Sequence, residues 1–432
     1  MVKSTPPNIP AAALADARRY AEHVFDALRS GSLDPSGGVT RASYGEGEEY
    51  AHELFRSEAT RMGLVVECDA ACNTYMTLRG GGNGRRKIVI GSHLDSVAQG
   101  GNFDGAAGVV AGLVIARMFS TLDVTLDVDL VAMGVRAEES AWFQTSYIGS
   151  KAALGRLEPE ALDARRVDTQ RTLAEHMREL GGDPDTLVQG QAFLDSSMIE
   201  AYIELHIEQA PSLVHASKPL AVGPAIPGNF RYKEIRVVGE TAHVGLPRPF
   251  RRDALKAAVD FVASMDGLWQ EWEAAGRAMA LTVGRFHTDP HNDAMTKVPG
   301  EVRFSLDVRA YDEEDLTELQ SRMHAFVERI ERERGVRFHL GGRTTAPVAR
   351  MDEVISRQLL SIATERGIPA QSLPSPASHD AAVFCSAGVP TGLLLIRNEH
   401  GSHNPREAMD LNDFMAGVEV LAHWVLKYAR KG

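Results

Sequence analysis

Four short stretches of the chain set imidazoles and carboxylates in glycine-rich or strand-end surroundings. "GSHLDSVAQGGNFDGA" carries His93, Asp95 and Asp104, and "RAEESAWF" carries Glu138 and Glu139. "ELHIEQA" supplies His206, and "EHGSHNP" supplies His400 and His403. Imidazole with carboxylate and no thiolate suits zinc, manganese or a similar borderline divalent ion. His93 and Asp104 stand eleven residues apart, a spacing that lets them flank one loop leaving a sheet. Asp95, two residues past His93, can hold the imidazole through its second ring nitrogen. Adjacent glutamates at a frayed strand end point in opposite directions, so one can face a metal and the other a substrate water. Taken singly, each piece has a plainer reading: a solvated or core-satisfied histidine, a solvated Glu138–Glu139 turn, loop polarity around His403. His400 is read that way, as loop polarity. Together they weigh more, because each stretch follows an apolar strand at the same predicted sheet edge.

The elements that must position these groups alternate in type. Helical periodicity runs over "LADARRYAEHVFDALRSG" and "GEEYAHELFRSEATRMG", followed by strands "LVVEC" and "NTYMTLRG". "GGGNGRR" reads as a turn, because a strand and not a helix follows it. Then come the buried strand "KIVIGSHLD", the helix "GAAGVVAGLVIARMFS" and the strand "LDVDLVAMG". This rhythm predicts an α/β fold: a mixed, mostly parallel sheet with helices on both faces. Ligands bind such sheets beyond the carboxyl ends of the strands, where His93 falls. After "IELHIEQAPSL" the order becomes strand, helix, two strands ("AMALTVGRFHT", "EVRFSLDVRA"), helix, strand, the ferredoxin-like split unit. The first rhythm resumes with "MDEVISRQLLSIATERG" and "TGLLLI". The expected organisation is a catalytic domain in two parts, 1–215 and 345–432, interrupted by an α+β lid at 216–344.

Bulk properties agree with an ordinary soluble protein. The 432 residues exceed what one core usually serves, and apolar and charged contents are 44% and 24%. A net charge of −12 argues against nucleic acid or an anionic membrane as partner. The three cysteines, Cys68, Cys72 and Cys385, cannot build a disulfide framework and suit a reducing cytosol. No apolar run is long enough for a signal peptide or a spanning helix, so a cytoplasmic location is expected.

With these motifs in place, the chain resembles the dinuclear-metal aminopeptidase/aminoacylase family. The closer likeness is to its hydantoinase/carbamoylase amidase branch of N-carbamoyl-L-amino acid amidohydrolases, allantoate amidohydrolases and β-ureidopropionases. The likeness runs from "GGVTRASYGEGE" to "GSHNPREAMD", and "ELHIEQAPSL" is particularly specific to the branch. The resemblance implies two divalent metal ions, zinc first and manganese or cobalt as alternatives. Asp104 would bridge them, with His93 and His206 completing one site and Glu139 and His403 the other. Glu138 would be the general base acting on a water shared by the metals. His243, in "GETAHVGLP", would cross to a partner subunit's active site and stabilise an oxyanion. Arg309, in "FSLDVRA", would grip a substrate carboxylate, with Gln209 and His379 as further substrate contacts. The lid would form a homodimer, and the Asp104–Gly105 bond would be cis.

Some positions depart from the branch pattern. Ser140 and Trp142 replace a commoner Gly and Arg, Ala210 replaces Gly, Thr296 replaces Asn, and the Gly usual before His379 is missing. None removes a metal ligand, and Trp142 is expected to add a large apolar surface near Glu138. The reading is therefore hydrolysis of a C–N bond in an N-carbamoyl or related N-substituted amino acid. An N-acyl-amino-acid deacylase or dipeptidase on the same metals is the alternative. A catalytically silent binding protein is the rival from another class.

Overall fold

The structure is a computed structural model, and it describes residues 9–82 and 86–429. The turn expected over 80–86 therefore lies partly outside the described residues. The chain separates into two compact units, Met1–Ile226 with Arg350–Gly432, and Pro227–Ala349.

The first unit is built on an eight-stranded sheet. At its centre Asp129–Val135, Lys87–His93, Ile199–Ile207 and Thr391–Ile396 run parallel as neighbours. Antiparallel pairs flank them: Val65–Cys68 and Thr74–Leu78 on one side, Leu220–Gly223 against Thr391–Ile396 on the other. Asp129–Val135 is buried at every position, as expected of a parallel strand covered on both faces.

Side-chain alternation then sorts the two faces. Ile88, Ile90, Ala201, Ile203 and Leu205 join one core with the helix Ala106–Thr121 and the terminal helices Ala11–Gly31 and Leu411–Tyr428. The Ala106–Thr121 helix is buried almost all round, and each of its fully buried Val, Ile and Leu side chains contributes about 1.5–3 kcal/mol. Gly108 makes that close seating possible, since a Cβ there would stand 2.5 Å from the Leu205 carbonyl oxygen. Tyr202 points to the opposite face and stacks on Phe384 of the helix Ala381–Ser386, with ring centroids 3.7 Å apart. By the same parity His206 falls on the Tyr202 side, and His93 points away from Ile88 and Ile90.

The second unit has its own core. Its antiparallel sheet runs in the order Met279–Thr282, Glu301–Ala310, Gly228–Val238, Arg337–His339. Glu301–Ala310 alternates strictly, burying Val302, Phe304, Leu306, Val308 and Ala310. That face joins one core with residues of the helices Ala254–Ala274 and Glu313–Arg334, whose first turns are capped by Asp253 and Asp312. The single strand expected over 278–288 is two, Met279–Thr282 and Phe286–Thr288. The break faces a register shift at Ser305, whose hydroxyl accepts the Arg285 amide at 3.0 Å. Residues 216–226, grouped with the lid in the sequence reading, carry Leu220–Gly223, which pairs with Thr391–Ile396 in the first unit.

Candidate metal centre

The chemical groups singled out in the first unit gather at or beyond the carboxyl ends of its parallel strands. His93 ends its strand, Glu138 and Glu139 follow Val135, His206 is the penultimate residue of its strand, and His403 lies in the loop after Ile396. The point where they meet is Asp104, which is 3% exposed. Its Oδ1 stands 3.1 Å from His206 Nε2 and 3.5 Å from His93 Nε2. Its Oδ2 stands 3.4 Å from His403 Nε2, which is itself 3.0 Å from Glu139 Oε1. Potential ligand atoms of His93, Asp104 and His206 thus lie within 4.8 Å of one another, as do those of Asp104, Glu139 and His403.

The donor set fits divalent metal ions. His93 Nδ1 faces the Asp95 carbonyl at 3.1 Å and His206 Nδ1 faces the Ile207 carbonyl at 3.0 Å. A carbonyl only accepts, so both Nδ1 atoms carry the proton and both Nε2 lone pairs turn toward Asp104. The Gly105 amide donates to His206 Nε2 at 3.2 Å, which confirms that nitrogen as an acceptor. Acceptors thus converge on a buried carboxylate whose Oδ1 has no hydrogen-bond partner. Electrostatics show that, without a metal, the carboxylates attract protons onto the same imidazoles. Burial opposes a charged His93, yet the Asp104 and Asp95 carboxylates hold its pKa well above the ordinary imidazole range. The Asp104 and Glu139 carboxylates, accepting hydrogen bonds from His403, push its pKa up to about 11. The cluster calls for positive charge, which bound cations supply by accepting the imidazole and carboxylate lone pairs.

Asp95 organises the centre as the sequence reading expected. Its Oδ1 lies 3.3 Å from His93 Nδ1 and accepts the Glu138 amide at 3.0 Å. Its Oδ2 accepts the Glu139 amide at 3.2 Å and the Ser43 hydroxyl at 2.6 Å. Glu138 is buried beside this group with Oε2 4.0 Å from His93 Nε2. Burial first, and the Glu139, Asp380 and Asp95 carboxylates after it, outweigh His93 and push the Glu138 carboxyl well above its ordinary range. A buried carboxyl shifted in that direction is a candidate proton carrier.

Two expectations need correction. No described peptide bond is cis, including Asp104–Gly105. Gly105 makes the turn instead with φ +66°, and a Cβ there would stand 2.4 Å from the His93 ring, so only glycine fits. Trp142 adds no open surface: it is buried with Tyr44 and Phe143, and its indole donates to the Ser96 carbonyl at 2.7 Å. Gln209 lies at the centre, its side-chain amide donating to Asp104 Oδ2 at 2.8 Å.

His379 is buried against His206, with ring centroids 4.3 Å apart, and its Nε2 lies 2.7 Å from the Ser375 hydroxyl. Burial, with His206 beside it, holds its pKa well below the ordinary imidazole range. Glu204, His206 and His379 form a third close group, but Glu204 is spoken for by the Ser92 hydroxyl at 2.6 Å and the Ala381 amide at 2.7 Å. His243 and Arg309 belong to the second unit. His243 is exposed, and its Nδ1 accepts the Gly245 amide at 3.2 Å, which leaves the proton on Nε2. Arg309 places Nε and one terminal nitrogen on Asp307, at 3.2 and 3.0 Å.

Several supporting residues escaped the sequence reading. Glu407 accepts the Phe103 and Asp104 amides at 2.8 and 3.2 Å. The Ser402 hydroxyl reaches both Glu407 and Asp104 Oδ2. Burial and the Asp104 carboxylate push Glu407 up to about 7. Its position in "GSHNPREAMD", four residues past His403, was the available signal.

Known proteins resemble this chain over almost its whole length. An N-carbamoyl-L-amino acid amidohydrolase of Geobacillus stearothermophilus is 34% identical over 403 residues, covering 92% of this chain and 95% of that protein. An allantoate amidohydrolase of Escherichia coli is 28% identical, covering 94% and 96%. The crystal structure of a hydantoinase/carbamoylase family amidase from Burkholderia multivorans superposes with a TM-score of 0.85 at 26% identity, covering 96% of this chain and 98% of that one. The pattern of Peptidase family M20/M25/M40 spans residues 89–427, from the strand that delivers His93 to the last helix. On that match and on the extent of its likeness to these relatives, the chain belongs to Peptidase family M20/M25/M40.

Proposed function

We propose that the protein is a metal-dependent amidohydrolase that cleaves a C–N bond of an N-carbamoyl (ureido) amino acid or a related N-substituted amino acid. The observation that carries this reading is the convergence of imidazole lone pairs and carboxylates on Asp104 with the buried carboxyl of Glu138 alongside. His93, His206 and Asp104 would hold one divalent ion, and Asp104, Glu139 and His403 the other, with zinc preferred and manganese or cobalt accepted. Bound there, the ions supply Lewis acidity, polarising a carbonyl and lowering the pKa of water.

Glu138 takes the proton from the attacking water and returns it to the leaving nitrogen. Asp95 fixes the His93 ring and both glutamate amides, so the proton carrier and the ligands keep one geometry. From the second unit, the exposed His243, with its proton on Nε2, suits a donor to developing negative charge. Arg309 is the candidate for the substrate carboxylate, which it would share with Asp307. His379 and Gln209 are further candidate substrate contacts, and Gln209 also bonds Asp104. A homodimer through the second unit, working in the cytoplasm, completes the proposal. The cytoplasmic location is supported by the three free cysteines, which suit a reducing compartment.

The test is product analysis on N-carbamoyl, N-formyl and N-acyl amino acids and allantoate, using chelated enzyme restored with zinc, manganese or cobalt. Metal-dependent release of ammonia with the free amino acid from carbamoyl substrates is the expected result. Free amino acid from acyl substrates alone would replace the ureido assignment with deacylation. Release of neither by metal-loaded enzyme would overturn the assignment.

A further inference from the structure

The segment "TRASYGEGE", residues 40–48, contains none of the proposed ligands, yet it touches every loop that carries them out of the first half of the sheet. Arg41 is fully buried. Its Nε donates to the Leu94 carbonyl at 2.8 Å, next to His93. Its terminal nitrogens reach Asn102 Oδ1 at 3.2 Å and the Asn102 carbonyl at 3.4 Å, two residues before Asp104. The Arg41 amide and carbonyl also bond Ser96, at 2.9 Å each. One side chain thus ties the exit of the His93 strand to the loop that delivers Asp104. A buried guanidinium bonded only to neutral oxygens is costly unless negative charge lies near. Burial lowers the Arg41 pKa, and the Glu407, Asp104, Asp95 and Glu48 carboxylates nearby offset part of that cost.

The same segment reaches the glutamate loop. Ser43 donates to Asp95 Oδ2 at 2.6 Å, on the oxygen that also takes the Glu139 amide. Glu48 is fully buried on the helix Glu46–Arg61, and its Oε1 accepts the Ala137 amide at 2.9 Å. Its Oε2 accepts the Tyr44 amide at 2.6 Å and meets Arg136 at 3.1 Å. Ala137 sits at φ +51°, a strained conformation for a residue with a Cβ, immediately before Glu138 and Glu139. Glu48 holds this turn at Ala137, as Asp95 does at the two amides that follow.

We propose that Arg41, Ser43 and Glu48 are positioning residues of the metal centre: they fix the Asp104 loop and the Glu138–Glu139 turn relative to each other. This inference rests on the metal-centre reading above. Losing such outer partners typically costs 10–100-fold in metal affinity or activity.

The experiment uses the full chain and zinc alone, in competition with a chromophoric chelator, on wild type, Arg41→Lys, Ser43→Ala, Glu48→Gln and an Asp104→Ala control. Thermal melts without metal establish that each variant folds. Steady-state kinetics at saturating zinc on whichever substrate the product analysis selects add the split between kcat and KM. The expected result is zinc affinity weakened at least tenfold in folded Ser43→Ala and Arg41→Lys, with kcat lowered and KM within about twofold. Glu48→Gln is expected to do the same. Should the Arg41 or Glu48 variant fail to fold, Ser43→Ala, which removes one hydroxyl, decides the matter. Wild-type affinity and kcat in folded Ser43→Ala and Arg41→Lys would overturn the positioning role. A wild-type chain that binds no more zinc than Asp104→Ala would overturn the metal centre itself.

Discussion

At the scale of single residues, the account turns on Asp104, where each carboxylate oxygen faces imidazole nitrogen and Oδ1 has no hydrogen-bond partner. Asp104→Asn keeps the shape and removes the charge. It is expected to lower bound divalent metal from two equivalents to one or none, measured by metal analysis after dialysis. Turnover should fall by at least a hundredfold, on the order of what a positioned catalytic group contributes. His400 provides the contrast: it is exposed, its nearest carboxylate is Glu399 at 4.0 Å, and His400→Ala should retain metal and turnover. The same assay measures both. His93, Asp95, His206 and His403 were legible in the sequence because their types recur at strand ends with glycine nearby. Glu407 and Arg41 were not, because an acid or base is informative only once its partner is known. Glu407 finds its partner amide 303 positions away.

At the scale of elements, the Lys87–His93 strand, the Asp104–Gly105 turn and the Ala106–Thr121 helix form one device. The strand delivers His93, the turn brings Asp104 back over it, and the buried helix anchors the turn. Gly105→Ala tests that device, since the new Cβ meets the His93 ring in a backbone conformation that costs an L residue about 1–2 kcal/mol. We expect a lower melting temperature without metal and at least tenfold weaker zinc binding, read by thermal denaturation and chelator competition. The strand and helix themselves were readable from "KIVIGSHLD" and "GAAGVVAGLVIARMFS", whose apolar runs match burial on both faces and all round. The turn was not: glycine marked a special backbone without stating which, and the expected cis bond gave way to a left-handed glycine. The strand over 278–288 failed for a related reason, because its break answers a register shift on the neighbouring strand.

At the scale of the whole molecule, the chain divides its labour between two units with separate cores. All the proposed ligands belong to the unit of residues 1–226 and 350–432. Metal binding therefore stabilises that unit and leaves Pro227–Ala349 to its own packing. At about a thousand times the dissociation constant, the linkage is worth about 4 kcal/mol per site. Calorimetry with and without chelator is expected to move the transition of the first unit and leave that of the second in place. The interruption of one fold by another was visible in the change from βα rhythm to strand, helix, two strands, helix, strand. Residues 216–226 were harder to place, because Leu220–Gly223 is a short apolar strand whose allegiance is decided by its partner Thr391–Ile396.

The most direct measurement titrates zinc into chelated protein while following metal occupancy and substrate turnover together, for wild type and Glu138→Gln. The account predicts that wild type takes up two equivalents and that turnover appears only as they bind. Glu138→Gln should take up the same two equivalents and turn over at least a hundredfold more slowly, because the ligands remain and the proton carrier is gone. Turnover in the chelated wild type, or near-wild-type turnover by Glu138→Gln, would contradict it.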